Sequence, residues 1–145
     1  MENGIELFGT ICKQLNLETH SMETYSPLTL AFLGDAVYEV IVRTIVVSDG
    51  NQQVNKLHKK SSMLVKAETQ AKMIKVLMDG LSEEELAYYK RGRNAKSYTS
   101  AKNASIGDYR MATGFEALMG YLYLSNNTER MLELIKKGIE LIGDN

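Results

Sequence analysis

The chain has 145 residues, enough for one compact domain and too few for two ordinary ones, so chemistry and recognition must share a single core. Its 44% apolar and 24% charged residues exclude a disordered chain, and 1 Pro beside 8 Met, 8 Tyr and no Trp favours long unbroken helices over a turn-rich sandwich. The lone Cys12 excludes an internal disulfide, no zinc-ligand spacing is present, and no run approaches the ~18 apolar residues that span a bilayer. The start MENGIELFGT has no basic stretch ahead of an apolar core, so the expectation is a cytoplasmic protein, neither exported nor membrane-inserted.

A net charge of -1 conceals a segregation. Residues 55–110 hold 12 Lys/Arg and 6 Asp/Glu, net +6, while the rest holds 5 and 12, net -7. A basic middle between acidic flanks suits a polyanion met by one face, and it also suits an ordinary solvated helix surface.

In chain order, Ile5, Leu7, Phe8, Ile11, Cys12 and Leu15 predict a short helix from about Gly4 to Asn16. Ser26 and Pro27 supply an N-cap and a first-turn proline for a central helix over Leu28 to Val47. Ser48 to Asn51 break the pattern; a helix or helix pair follows from Val54 to Met78, ended by Gly80. Ser82 and Glu85 form a capping box before a helix through Leu86, Ala87 and Tyr88, which stops at the loop-like KRGRNAKSYTSAKN. An apolar helix from Ile106 or Asp108 to Leu124 and an amphipathic one from Asn127 to Ile142 complete an all-α, single-domain reading of residues 1–145.

Two acids fall inside apolar runs, Asp35 in LTLAFLGDAVYEV and Glu116 in MATGFEALMGYLYL. Burying an unpaired charge costs several kcal/mol, so each must be paired with a basic side chain such as Arg43 or Arg110, be protonated, or be bound to a cation, the functional reading being that both converge on one divalent metal. Gly34, Gly114 and Gly120 argue for convergence, because small residues in mid-helix permit close backbone approach. Glu39, four residues after Asp35 on the same helical face, is an outer partner or the acceptor for Arg43, with a third ligand the less favoured role. An all-oxygen acid site suits Mg²⁺ or Mn²⁺. Lys90, Arg91, Arg93, Lys96 and Lys102, interleaved with Asn94, Ser97, Tyr98, Thr99 and Asn103, mix cations with neutral hydrogen-bonders as phosphates and ribose hydroxyls require. Tyr38, Tyr109, Tyr121 and Tyr123 read as core or interface side chains.

FLGDAVYE, Phe32 to Glu39, resembles the core of the ribonuclease III signature, and FEALMGYLYL, Phe115 to Leu124, resembles that family's second acidic helix. HKKSS at His58 to Ser62 and KRGRNAKS at Lys90 to Ser97 are similar to its short branch, Mini-ribonuclease III, in particular. The resemblance is strongest over residues 28–142. It implies a ribonuclease III endonuclease-domain-like helical bundle and a Mg²⁺-dependent endoribonuclease, with Mn²⁺ as a substitute. The implied substrate is double-stranded RNA in the precursor of the large-subunit (23S) ribosomal RNA, with no DNA and no membrane as partners.

Carried over by residue, the resemblance makes Asp35 and Glu116 the catalytic and metal-binding acids. His58, Lys59, Lys60, Lys90, Arg91, Arg93, Asn94, Lys96 and Lys102 become the RNA contacts, and Phe32, Leu33 and Val37 the interface of a homodimer. Ribonuclease III proper has a glutamate four residues before that aspartate and an aspartate three before that glutamate; here Ala31 and Thr113 stand there, a reduction the Mini branch shares. The competing reading is a non-catalytic RNA-binding or ribosome-associated module of the same fold.

Overall fold

The computed structural model describes residues 7–96 and 105–143. Helix α1, Leu7–Leu15, ends at Asn16, whose positive φ of 56° lets Leu17 N–H reach back to the Cys12 carbonyl at 2.9 Å. Helix α2, Pro27–Val47, starts where the sequence places it: Ser26 Oγ accepts from Thr29 N–H at 3.1 Å and Pro27 occupies the first turn.

The expected helix pair is two helices, α3 over Val54–Val65 and α4 over Ala67–Leu77, separated by the extended backbone of Lys66. Thr69 Oγ1 and Gln70 Nε2 close this break by donating to the carbonyls of Met63 at 2.6 Å and Val65 at 2.8 Å, two groups the end of α3 leaves unpaired. A 3₁₀ turn over Met78–Gly80 finishes α4. Helix α5, Glu83–Asn94, opens with the predicted capping box, Ser82 Oγ accepting from Glu85 N–H at 3.1 Å and Glu85 Oε1 from Ser82 N–H at 2.9 Å.

Helix α6, Ile106–Leu124, is capped by Ser105, and α7 spans Thr128–Gly143. Every regular element among the described residues is an α- or 3₁₀-helix, so the all-α reading holds. None of those helices is long and apolar enough to cross a membrane.

Helix α6 is buried almost all round because α2, α4 and α5 pack on it, while α7 lies mainly against α4. Phe115, Leu118, Met119 and Leu122 of α6 meet Tyr38 and Val42 of α2, Met73 and Ile74 of α4, and Tyr89 of α5 in one core. Arg130 of α7 latches the bundle's flank: its guanidinium donates to both Glu85 oxygens, at 2.8 and 2.9 Å, and to the Gly80 carbonyl at 2.9 Å. Glu85 is buried, and this bidentate pairing holds its carboxyl below the usual range.

Candidate active site

Helices α2 and α6 meet backbone to backbone. A Cβ on Gly34 would overlap the Glu116 carbonyl oxygen, and one on Gly120 would overlap that of Leu30, so only glycine permits the crossing. Gly34 precedes Asp35, and Gly120 lies one turn after Glu116 on the same helical face, so this contact sets the two acids side by side.

The acids differ in setting. Glu116 is half-buried and accepts a hydrogen bond from Gln70 Nε2 at 3.2 Å. Burial first, then the negative charge of Asp35, pushes its carboxyl up to about 8, against the Gln70 bond, which favours the ionised form. Asp35 is exposed, contrary to the expectation that both acids sit in costly surroundings. Its apolar flanks misled: Phe32 and Ala36 beside it are themselves exposed on this chain, so they mark a surface and not a core.

Neither acid is ion-paired with a basic side chain among the described residues. Arg43 instead bonds Glu39 at 2.9 Å across one turn of α2, which settles Glu39 as its acceptor, and Arg110 makes no ion pair with Asp35 or Glu116. No group of three His, Cys, Asp or Glu side chains able to hold a metal exists among the described residues. Two carboxyl groups set side by side, neither ion-paired with a basic side chain among the described residues, are oxygen donors of the kind that would suit a hard divalent ion keeping most of its waters.

Ala31 and Thr113 are both buried, and Thr113 Oγ1 donates to the Tyr109 carbonyl at 3.0 Å, so neither position adds a donor to the pair. Tyr38 lies in the core beneath it, donating to the Leu64 carbonyl at 2.8 Å; burial and then the Glu116 charge keep its phenol neutral, above its ordinary range. Tyr121 is buried too, stacked on Tyr88 at 4.0 Å, as the core reading expects.

The basic residues fall on two helices. Lys90, Arg91, Arg93 and Asn94 form the last turn of α5, correcting the loop expected there, and Lys96 follows it. This turn stays helical because Gly92 packs where a Cβ would come within 2.6 Å of Ala117 Cβ, and because Arg91 and Arg93 lie over the rings of Tyr88 and Tyr89 at 5.3 and 5.6 Å. Lys102, Ser97, Tyr98, Thr99 and Asn103 lie outside the described residues. His58, Lys59 and Lys60 are exposed on α3, which packs on α2 and α4, with no hydrogen bond or ion pair to the α5 group among the described residues.

Of the expected interface residues, Phe32 is 81% exposed, and Leu33 and Val37 are half-buried. The latter two line a cavity of about 380 Å³ between α2, α1 and α7, with Phe8, Val40 and Met131 on its walls. Gln70 is the site residue the sequence reading passed over. Its one signal was a polar residue on the apolar stripe of α4, between Ala67 and Ile74.

A helical bundle with acids from its two central, glycine-crossed helices is the architecture of a ribonuclease III domain, and the family described as "Ribonuclease III domain" matches residues 28–127. A Mini-ribonuclease 3 of Clostridium tetani is 54% identical over 83% of this chain and 80% of its own, and one of Enterococcus faecalis is 49% identical over 81% and 90%. A crystal structure of a Fusobacterium nucleatum protein superposes with a TM-score of 0.73 at 31% identity, covering 83% of this chain and 95% of that one. The chain belongs to the Mini-ribonuclease III family.

Proposed function

We propose that this protein is a Mg²⁺-dependent endoribonuclease that cleaves double-stranded RNA, with Mn²⁺ able to substitute, and that its natural substrate is a stem in the precursor of 23S ribosomal RNA. The observation that carries the chemistry is the Asp35 and Glu116 pair, set side by side by the Gly34 and Gly120 crossing and not ion-paired with a basic side chain among the described residues. Asp35 and Glu116 would hold Mg²⁺, which would supply an activated water and a positive charge beside the scissile phosphate. Asp35, exposed, faces the substrate side; Glu116, half-buried and held by Gln70, is the fixed wall of the site.

The exposed cations Lys90, Arg91 and Lys96, with Arg93 and Asn94, meet the RNA backbone, and Lys102, His58, Lys59 and Lys60 extend that contact. An A-form duplex is read by its phosphates and 2′-hydroxyls, so recognition is largely independent of sequence. Two copies assemble in the cytoplasm through the exposed face of α2, Phe32 seating against the partner and Leu33 and Val37 lining the cavity beside it. Each copy then cuts one strand. The substrate assignment rests on family membership.

The test is a labelled RNA duplex incubated with wild-type and Asp35→Asn protein, with and without Mg²⁺. Cleavage by wild type alone, only with Mg²⁺, is the expected result. Binding without cleavage by wild type supports the competing reading, a non-catalytic RNA-binding module, which Ala31 and Thr113 favour by leaving the family's fuller carboxylate set incomplete.

A further inference from the structure

Gln70 of α4 is 1% exposed and meets two acceptors with one nitrogen: Nε2 donates to the Val65 carbonyl at 2.8 Å and to Glu116 Oε2 at 3.2 Å. Since the Val65 carbonyl can only accept, the amide cannot be turned round, and Oε1 is left buried with no hydrogen-bond partner. An orphaned buried acceptor costs stability, and leucine or methionine would fill the same space without it. The glutamine is therefore explained by what its nitrogen does. The Val65 carbonyl ends α3 and is part of the frame, so it anchors the amide, whose second hydrogen is offered to the carboxylate.

We propose that Gln70 is a positioning residue for the reaction: tethered to the end of α3, it holds the Glu116 carboxylate beside Asp35 in the orientation that receives the metal ion. Without it, no hydrogen bond from the frame fixes the Glu116 side chain, and each binding event must first select the rotamer beside Asp35. The inference rests on the metal-dependent reading above. Partners that orient a metal ligand in this way commonly govern affinity for the ion as strongly as turnover.

The full-length wild type and Gln70→Met are compared for Mn²⁺ binding by electron paramagnetic resonance without RNA, for kcat and KM on an RNA duplex, and for Tm. Gln70→Met weakens Mn²⁺ binding by roughly 10- to 100-fold and lowers kcat at fixed Mg²⁺, with KM for RNA unchanged and Tm within a few degrees of wild type. A lower Tm with unchanged Mn²⁺ affinity and kcat marks a merely structural glutamine and overturns the proposal. Should Gln70→Met not fold, Gln70→Asn, too short to span both acceptors, is judged by the same readouts. Independently of any variant, the Gln70 side-chain amide resonances of the wild type shift on Mg²⁺ addition and saturate with metal binding; resonances that stay still overturn it. Wild-type protein that binds no Mn²⁺ overturns the metal reading and this inference together, whereas an active wild type matched by Gln70→Met overturns only the role of Gln70.

Discussion

The backbone of Gly34 lies so close to the carbonyl of Glu116 that a single methyl group between them would overlap the oxygen. Gly34→Ala therefore separates α2 from α6 although alanine is the better helix former by about 0.5–1 kcal/mol. Such overpacking costs typically 1–3 kcal/mol, so the variant melts several degrees lower and cleaves RNA poorly at temperatures where it is folded. Gly107→Ala, where among the described residues the added carbon would have only Ser105 Oγ nearby at 4.0 Å, keeps the wild-type Tm or raises it. Thermal denaturation of the two variants checks the contrast.

Glu116 carries its proton more tightly in the folded chain, at about 8, than at the ordinary 4.5 of an unfolded one. Its support for the metal-free fold is complete below the lower value and is lost as the pH rises through the higher. Glu116→Gln keeps the neutral shape at every pH. Metal-free Glu116→Gln and wild type then melt alike near pH ~5, and the variant melts a few degrees higher by about pH 8.5. A difference that does not grow with pH contradicts this.

Phe32→Glu places a charge where an 81% exposed phenylalanine stands on α2. If two copies associate through α2 as proposed, the variant sediments as a folded monomer at concentrations where wild type dimerises, because a desolvated, unpaired charge in that contact outweighs the remaining apolar area. Analytical ultracentrifugation measures it.

Replacing Arg91 and Arg93 together by alanine removes two cations from the last turn of α5. RNA affinity falls for all duplex sequences alike, and the slope of log affinity against log salt falls by about 2. Because both guanidiniums also lie over tyrosine rings, a small loss of Tm accompanies this. An unchanged salt slope would take this turn off the binding face.

The helices were legible where local chemistry announces them: Ser26 and Pro27 start α2, Ser82 and Glu85 start α5, and each cap is present with its hydrogen bonds. The convergence of Asp35 and Glu116 was legible from the glycines beside them. Exposure was not, since a stripe meant for another surface and a stripe meant for the core carry the same residues, and Asp35 was read as buried for that reason. Lys90 to Asn94 read as a loop because cations and a glycine give no apolar period; Gly92 is there for contact with Ala117, which only the packed structure reveals. Gln70 escaped because a polar residue on the apolar stripe of α4 does not announce its partner, which lies 46 positions away in the chain.

The crossing at Gly34 and Gly120 also fixes what can be tuned. Backbone resting on backbone has no slack to take up, so repacking the core elsewhere does not widen the gap between the acids. The gauge of the site is then the length of two side chains, and a preference for a larger or smaller ion is to be sought by exchanging Asp35 for Glu or Glu116 for Asp, with the scaffold left as it is.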